Sequence, residues 1–139
     1  MAIIAGAGNP AGSGGTAGTG KGLNYLGEHA YANSGAITNT TSYKNILDFN
    51  IGAHYIVGTL TVNGSVVPAT VAGGNISVYD VKVNNETVAL FKFDSQTEDM
   101  PQTATIPITL GPYDHVEVSV KADDTNGFDT ALFSGRVYA

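Results

Sequence analysis

The chain has 139 residues, 42% of them apolar and 13% charged, with eighteen Gly and neither Cys nor Trp. That is one domain's worth of sequence, and its modest charge excludes a highly charged disordered chain. Six Lys and Arg against twelve Asp and Glu give a net charge of −6. The cations are scattered singly, so the phosphate neutralisation on which duplex nucleic-acid binding depends is missing. Without Cys there is no disulfide framework, thiolate nucleophile or zinc-thiolate site. No apolar run approaches the ~20 residues needed to span a bilayer, and Met1–Ala5 lacks the basic start and apolar length of a secretory signal. The expectation is a domain that binds neither nucleic acid nor membrane and needs no cofactor.

In chain order, residues 1–22 come first, holding eight of the eighteen Gly, with Ala, Ser and Thr filling most of the rest. A stretch with no periodic apolar face loses much entropy on ordering, so it reads as an arm that needs a surface to lie on. Its short apolar tip, Ile3 and Ile4, is the expected anchor.

Residues 23–139 read as one β-domain, with turn signals about every ten residues and no helical periodicity. The expected strands are Leu23–Asn33, Tyr43–Ile51, His54–Val62, Ser65–Val71, Asn75–Val83, Glu86–Phe93, Thr103–Leu110, Asp114–Lys121 and Thr130–Tyr138. Asn63-Gly64 predicts a tight hairpin between YIVGTLTV and SVVPATV, and Asn84-Asn85 a second between ISVYDVKV and ETVALFKF. Alternation supplies a core face from Ile56, Leu60, Val62, Val81, Val83, Phe91, Phe93, Ile106, Ile108, Leu110, Val116, Val118 and Val120. The fold class expected is therefore all-β, an antiparallel jelly-roll sandwich of eight or nine strands behind a Gly-rich arm.

Several short patterns suggest chemistry and then fail on detail. Gly15–Gly22 matches the start of a phosphate loop, but Gly22 stands where a magnesium-binding hydroxyl is required, and no strand or helix flanks it. Asp123, Asp124 and Asp129 suggest a calcium loop, yet with Gly127 at the sharp turn the first and twelfth positions are Ala122 and Phe133, not oxygen ligands. A polar loop that at most gathers a weak cation is the reading there. His29, His54 and His115 lie far apart without metal-ligand spacing. Glycosylation tripeptides occur at Asn39, Asn63, Asn75 and Asn85, residue types that turns favour in any case. No catalytic residue is assigned, and the expectation is a protein that is not an enzyme.

A resemblance extends this reading. Ile108–Val118 (ITLGPYDHVEV) is similar to the strand–turn–strand stretch of the tumour-necrosis-factor-like jelly roll, including its complement globular-head branch. Pro112-Tyr113 here separates the Gly from the Asp. Leu132–Tyr138 (LFSGRVY) resembles that family's closing strand, and His54–Gly58 an early one, so the likeness covers about residues 43–139. It implies a homo-oligomer, a trimer, with Tyr55, Phe133 and Tyr138 near the three-fold interface. The short apolar tip, the Gly/Ala/Ser/Thr arm and Gly22–Tyr31 leading into a small jelly roll resemble the plan of small bacteriophage head-decorating proteins. This implies a virion location, other capsid proteins as partners, and a role as decoration, cement or fibre component. A soluble complement-head-like module recognising a glycan or protein stays open as the alternative.

Overall fold

The computed structural model describes residues 23–66, 75–95, 100–123 and 127–138. Ten strands make up the described chain: β1 (Asn24–Leu26), β2 (His29–Asn33), β3 (Ile37–Thr38), β4 (Lys44–Asn50), β5 (Tyr55–Val66), β6 (Asn75–Val83), β7 (Glu86–Ser95), β8 (Met100–Leu110), β9 (His115–Ala122) and β10 (Gly127–Tyr138). No helix occurs among the described residues, so none is long and apolar enough to cross a membrane.

The strands form two antiparallel sheets. The larger has the order β1-β2-β10-β5-β8, with β3 also on β10, and the smaller the order β4-β9-β6-β7. Leaving aside the short β1 and β3, eight strands divide four and four in the order of a jelly roll, as the sequence predicts. The core lies between the sheets. Ile56, Leu60, Val62, Val81, Phe93, Leu110, Val116, Val118 and Val120 are buried there, and Val83, Phe91, Ile106 and Ile108 are partly buried against them. Period-two alternation thus places the expected faces inward.

The two predicted hairpins part company. Asn84 and Asn85 turn with φ of 52° and 68° between β6 and β7, the left-handed pair that a two-residue turn demands. Asn63-Gly64, in contrast, lies inside β5. Asn63 pairs with Thr130 on one side and Thr103 on the other, and Gly64 with Asp129 and Gln102. Gly64 serves close packing instead of a turn. A Cβ on it would lie 3.0 Å from Phe93 Cδ2 and 3.3 Å from the Tyr79 hydroxyl. The expected strand Ser65–Val71 is therefore partly the end of β5, and residues 67–74 lie outside the described chain. The expected strand Leu23–Asn33 is itself a hairpin, broken at Gly27 with φ of 61°.

One irregularity places side chains that matter below. Between β4 and β9 the register shifts at Ile46: Asn45 pairs with Ser119 and Leu47 with Val118. This bulge turns the consecutive Ile46 and Leu47 both inward, where each is fully buried. It also returns Asp48 to the outer face that Asn45 occupies.

Candidate functional site

The two outer faces of the sandwich differ in chemistry. On the smaller sheet, Asp48, Asp80, Lys82, Lys92, Glu117 and Lys121 point outward, a mixed-charge surface that also carries the exposed Val88 and Leu90 on β7. The outer face of the larger sheet carries Tyr31, Tyr55, Val57, Phe128, Leu132 and Tyr138, each between 40% and 53% exposed. Threonines fill the space between them. Thr61 and Thr105 share a hydrogen bond of 3.0 Å, and Asn63 Nδ2 donates to Thr103 Oγ1 at 2.6 Å. Among the described side chains of this face Arg136 is the one formal charge, and its guanidinium pairs with Glu28 from the β1–β2 turn at 2.9 Å. Exposed apolar groups are thus gathered on a nearly uncharged face.

Tyr55 and Tyr138 are opposite one another on β5 and β10 and stack with ring centroids 5.7 Å apart. Arg136 sits 5.7 Å over the Tyr138 ring. Both tyrosines are thus on an open face. Phe133 is not: odd-numbered β10 positions face the core here, and Phe133 is fully buried against Phe49 with centroids 5.2 Å apart. It supports the sheet from within and presents no surface.

The expected cation loop does not gather its carboxylates. Asp123 is exposed, Asp124 lies outside the described residues, and Asp129 is fully buried between the sheets. Asp129 accepts a hydrogen bond from Asn39 Nδ2 at 2.8 Å, and its Oδ1 lies 2.6 Å from the Tyr79 hydroxyl. The same hydroxyl is 2.8 Å from the Asn63 carbonyl oxygen. One phenolic proton cannot serve two acceptors. Both contacts are made at once when Asp129 is protonated and donates to Tyr79, which in turn donates to Asn63. Burial accordingly pushes the Asp129 carboxyl above its ordinary value, against the opposing hydrogen bonds of Tyr79 and Ser77. Tyr79 is raised by its burial first and by Asp129 second, which keeps its hydroxyl a donor. Asn39, which opens one of the glycosylation tripeptides, belongs to this network and is 1% exposed, so the folded domain does not offer it.

The histidines separate. His29 lies beside Arg136 in the register of the larger sheet, and His54 precedes β5. His115 meets two carboxylates on the smaller sheet: its Nε2 is 2.5 Å from Asp48 Oδ1 and its Nδ1 3.7 Å from Glu117 Oε1. Asn45 Nδ2 donates to Asp48 Oδ2 at 3.1 Å and to Glu117 Oε2 at 3.3 Å. Residues 48 and 115 are far apart in the chain, and only the β4–β9 register and the Ile46 bulge join them. Two adjacent apolar residues, Ile46-Leu47, between Asn45 and Asp48 are the trace of that bulge in the sequence. The arm, with Ile3 and Ile4, lies outside the described residues.

No protein-family model and no curated protein matches the chain. Among solved structures it is similar to the structure of infectious bursal disease virus Gx strain, at 9% identity over 78% of this chain and 32% of that one, with a TM-score of 0.43. It is also similar to dimeric latent PorU from Porphyromonas gingivalis, at 8% identity over 92% of this chain and 14% of that one, TM-score 0.48. A third is a structure described as "CBM4 structure and function", at 9% identity over 84% and 75% of the two chains, TM-score 0.34. The chain spans about a third of the first and a seventh of the second. At these identities and scores the likenesses bear on neither function nor partners.

Proposed function

We propose that this chain is a non-enzymatic structural protein of a virion, a capsid decoration, cement or fibre component that self-associates as a homotrimer. The observation that carries the reading is the outer face of the larger sheet, with its Thr and aromatic side chains and a single, already paired guanidinium. Burying such a face removes apolar area at about 25 cal/mol per Å² and strands no charge. The opposite face also exposes Val88 and Leu90, but it sets them among charges of both signs that burial would desolvate. Support also comes from the jelly-roll strand order, and from the stacked Tyr55 and Tyr138 at the positions that the tumour-necrosis-factor-like resemblance assigns to its interface.

In this reading residues 1–22 reach from the trimer to the shell. Burying Ile3 and Ile4 returns about 3–6 kcal/mol. Ordering some twenty residues costs roughly 1–2 kcal/mol each in backbone entropy. Backbone hydrogen bonds to the partner, of the added-strand kind, must supply the rest.

The test is incorporation into particles purified from the source, measured by quantitative mass spectrometry. The full chain should be a multi-copy component, and deletion of residues 2–20 should abolish incorporation while leaving the oligomer intact. Normal occupancy by the truncated chain refutes the anchoring role. An oligomer absent from particles returns the protein to the soluble, glycan- or protein-binding alternative.

A further inference from the structure

We propose that Asp48, His115 and Glu117 form a binding site for a divalent transition cation of the zinc class, on the outer face of the smaller sheet. The donor atoms of these three residues all lie within 4.8 Å of one another, each side chain half-buried. A cation at the centre of such a triangle is no more than about 2.8 Å from each donor, against the roughly 2.0–2.2 Å of zinc to nitrogen and carboxylate oxygen. Side-chain rotation that parts His115 Nε2 from Asp48 Oδ1, now in direct contact at 2.5 Å, admits the ion between them. Two carboxylates with a neutral imidazole carry the −2 charge that a divalent ion cancels. The imidazole nitrogen sets the metal class, because calcium and magnesium take oxygen ligands. Three protein ligands leave a fourth position open to water or to a donor on another molecule.

The surroundings are arranged as around a metal. Asn45 donates to the far oxygens, Asp48 Oδ2 and Glu117 Oε2, which leaves Oδ1 and Oε1 turned toward the His115 ring. Such bonds to the non-ligating oxygens orient ligands and sharpen affinity. Asn45 does this at a cost, since its own Oδ1 is shielded from solvent and accepts no hydrogen bond. Organising the two carboxylates accounts for that orphaned atom. Lys82, in register with Glu117, turns its ammonium to Asp80 at 3.7 Å. The site lies on the sheet opposite the proposed association face, so it stands or falls apart from the virion reading.

The experiment titrates zinc into the untagged, chelator-treated full chain by calorimetry, and follows the histidine ring nitrogens by NMR. The expected result is one ion per chain, with the His115 resonances shifting and those of His29 and His54 unmoved. Cobalt at the same site should show the visible absorption of a four-coordinate ion. Asp48→Asn with Glu117→Gln, a pair that keeps size and shape, should weaken binding at least about tenfold while the oligomer mass stays unchanged. Absence of binding by the unaltered chain, or shifts at His29 or His54 in place of His115, overturns the proposal. So does affinity that the paired variant leaves intact.

Discussion

The buried Asp129 allows the sharpest perturbation, Asp129→Asn. The Tyr79 hydroxyl, 2.6 Å from Asp129 Oδ1, donates to the ionised carboxylate, and on protonation Oδ1 becomes the donor to Tyr79 while Oδ2 still accepts from Asn39 Nδ2. The substituted amide reproduces both bonds, its NH₂ at the Oδ1 position and its carbonyl at the Oδ2 position. Because the folded carboxyl titrates above its ordinary value of 3.8, its contribution to stability is fully present below that value. It is lost as pH rises from there through the raised folded value. The loss has a limiting slope of about 1.4 kcal/mol per pH unit, and levels off once the folded carboxyl ionises. The variant has no such proton to lose. Urea unfolding followed by circular dichroism from pH 3 to pH 8 should therefore show equal stabilities at the acid end and a gap that opens in the variant's favour. A variant less stable than the natural chain at pH 7, with the gap closing toward acid, refutes the protonated network. It would make the carboxylate the form that the core prefers.

The remaining expectations concern packing and turns. Gly135→Ala puts a Cβ 2.6 Å from Ile56 Cγ2 and 3.0 Å from the Val57 carbonyl oxygen, so denaturant unfolding should register a loss of about 1–3 kcal/mol. Phe133→Ala should cost about 3–5 kcal/mol as a fully buried ring, and similar stability in that variant and the parent would contradict its core placement. Asn84→Ala removes the hydrogen bonds to Asp114 Oδ1 and from the His115 amide and leaves a positive φ to a poorly suited residue, at a cost of about 1–2 kcal/mol. Asn85→Gly, at φ of 68°, should be neutral or slightly stabilising in the same assay.

Most of the architecture is legible in the sequence because the domain is built from alternation, and alternation is local. Ile56, Leu60 and Val62 or Val116, Val118 and Val120 declare their face without knowledge of any partner strand. Asn84-Asn85 is readable for the same reason, since a two-residue turn is set by its own φ angles. Asn63-Gly64 misleads because the glycine answers a non-local demand. Tyr79 and Phe93, from the other sheet, need the space a side chain would fill. Asp129 likewise reads as a loop carboxylate until Asn39, just after β3, and Tyr79, on β6, enclose it. The Asp48–His115–Glu117 cluster depends on a bulge and a register, and neither is encoded as a spacing. On the face proposed for association, the outward Tyr55 and Tyr138 follow from strand parity, whereas Phe133 has the opposite parity and faces inward.

The central claim, a trimer built through the uncharged face of the larger sheet, is tested most directly by the native mass of the full chain. Native mass spectrometry at micromolar concentration should give a species of three 14.3 kDa chains, and Leu132→Glu, which places a carboxylate in that face, should reduce it to a folded monomer. A natural chain that stays a 14.3 kDa monomer contradicts the claim, as does a trimer that Leu132→Glu leaves undisturbed.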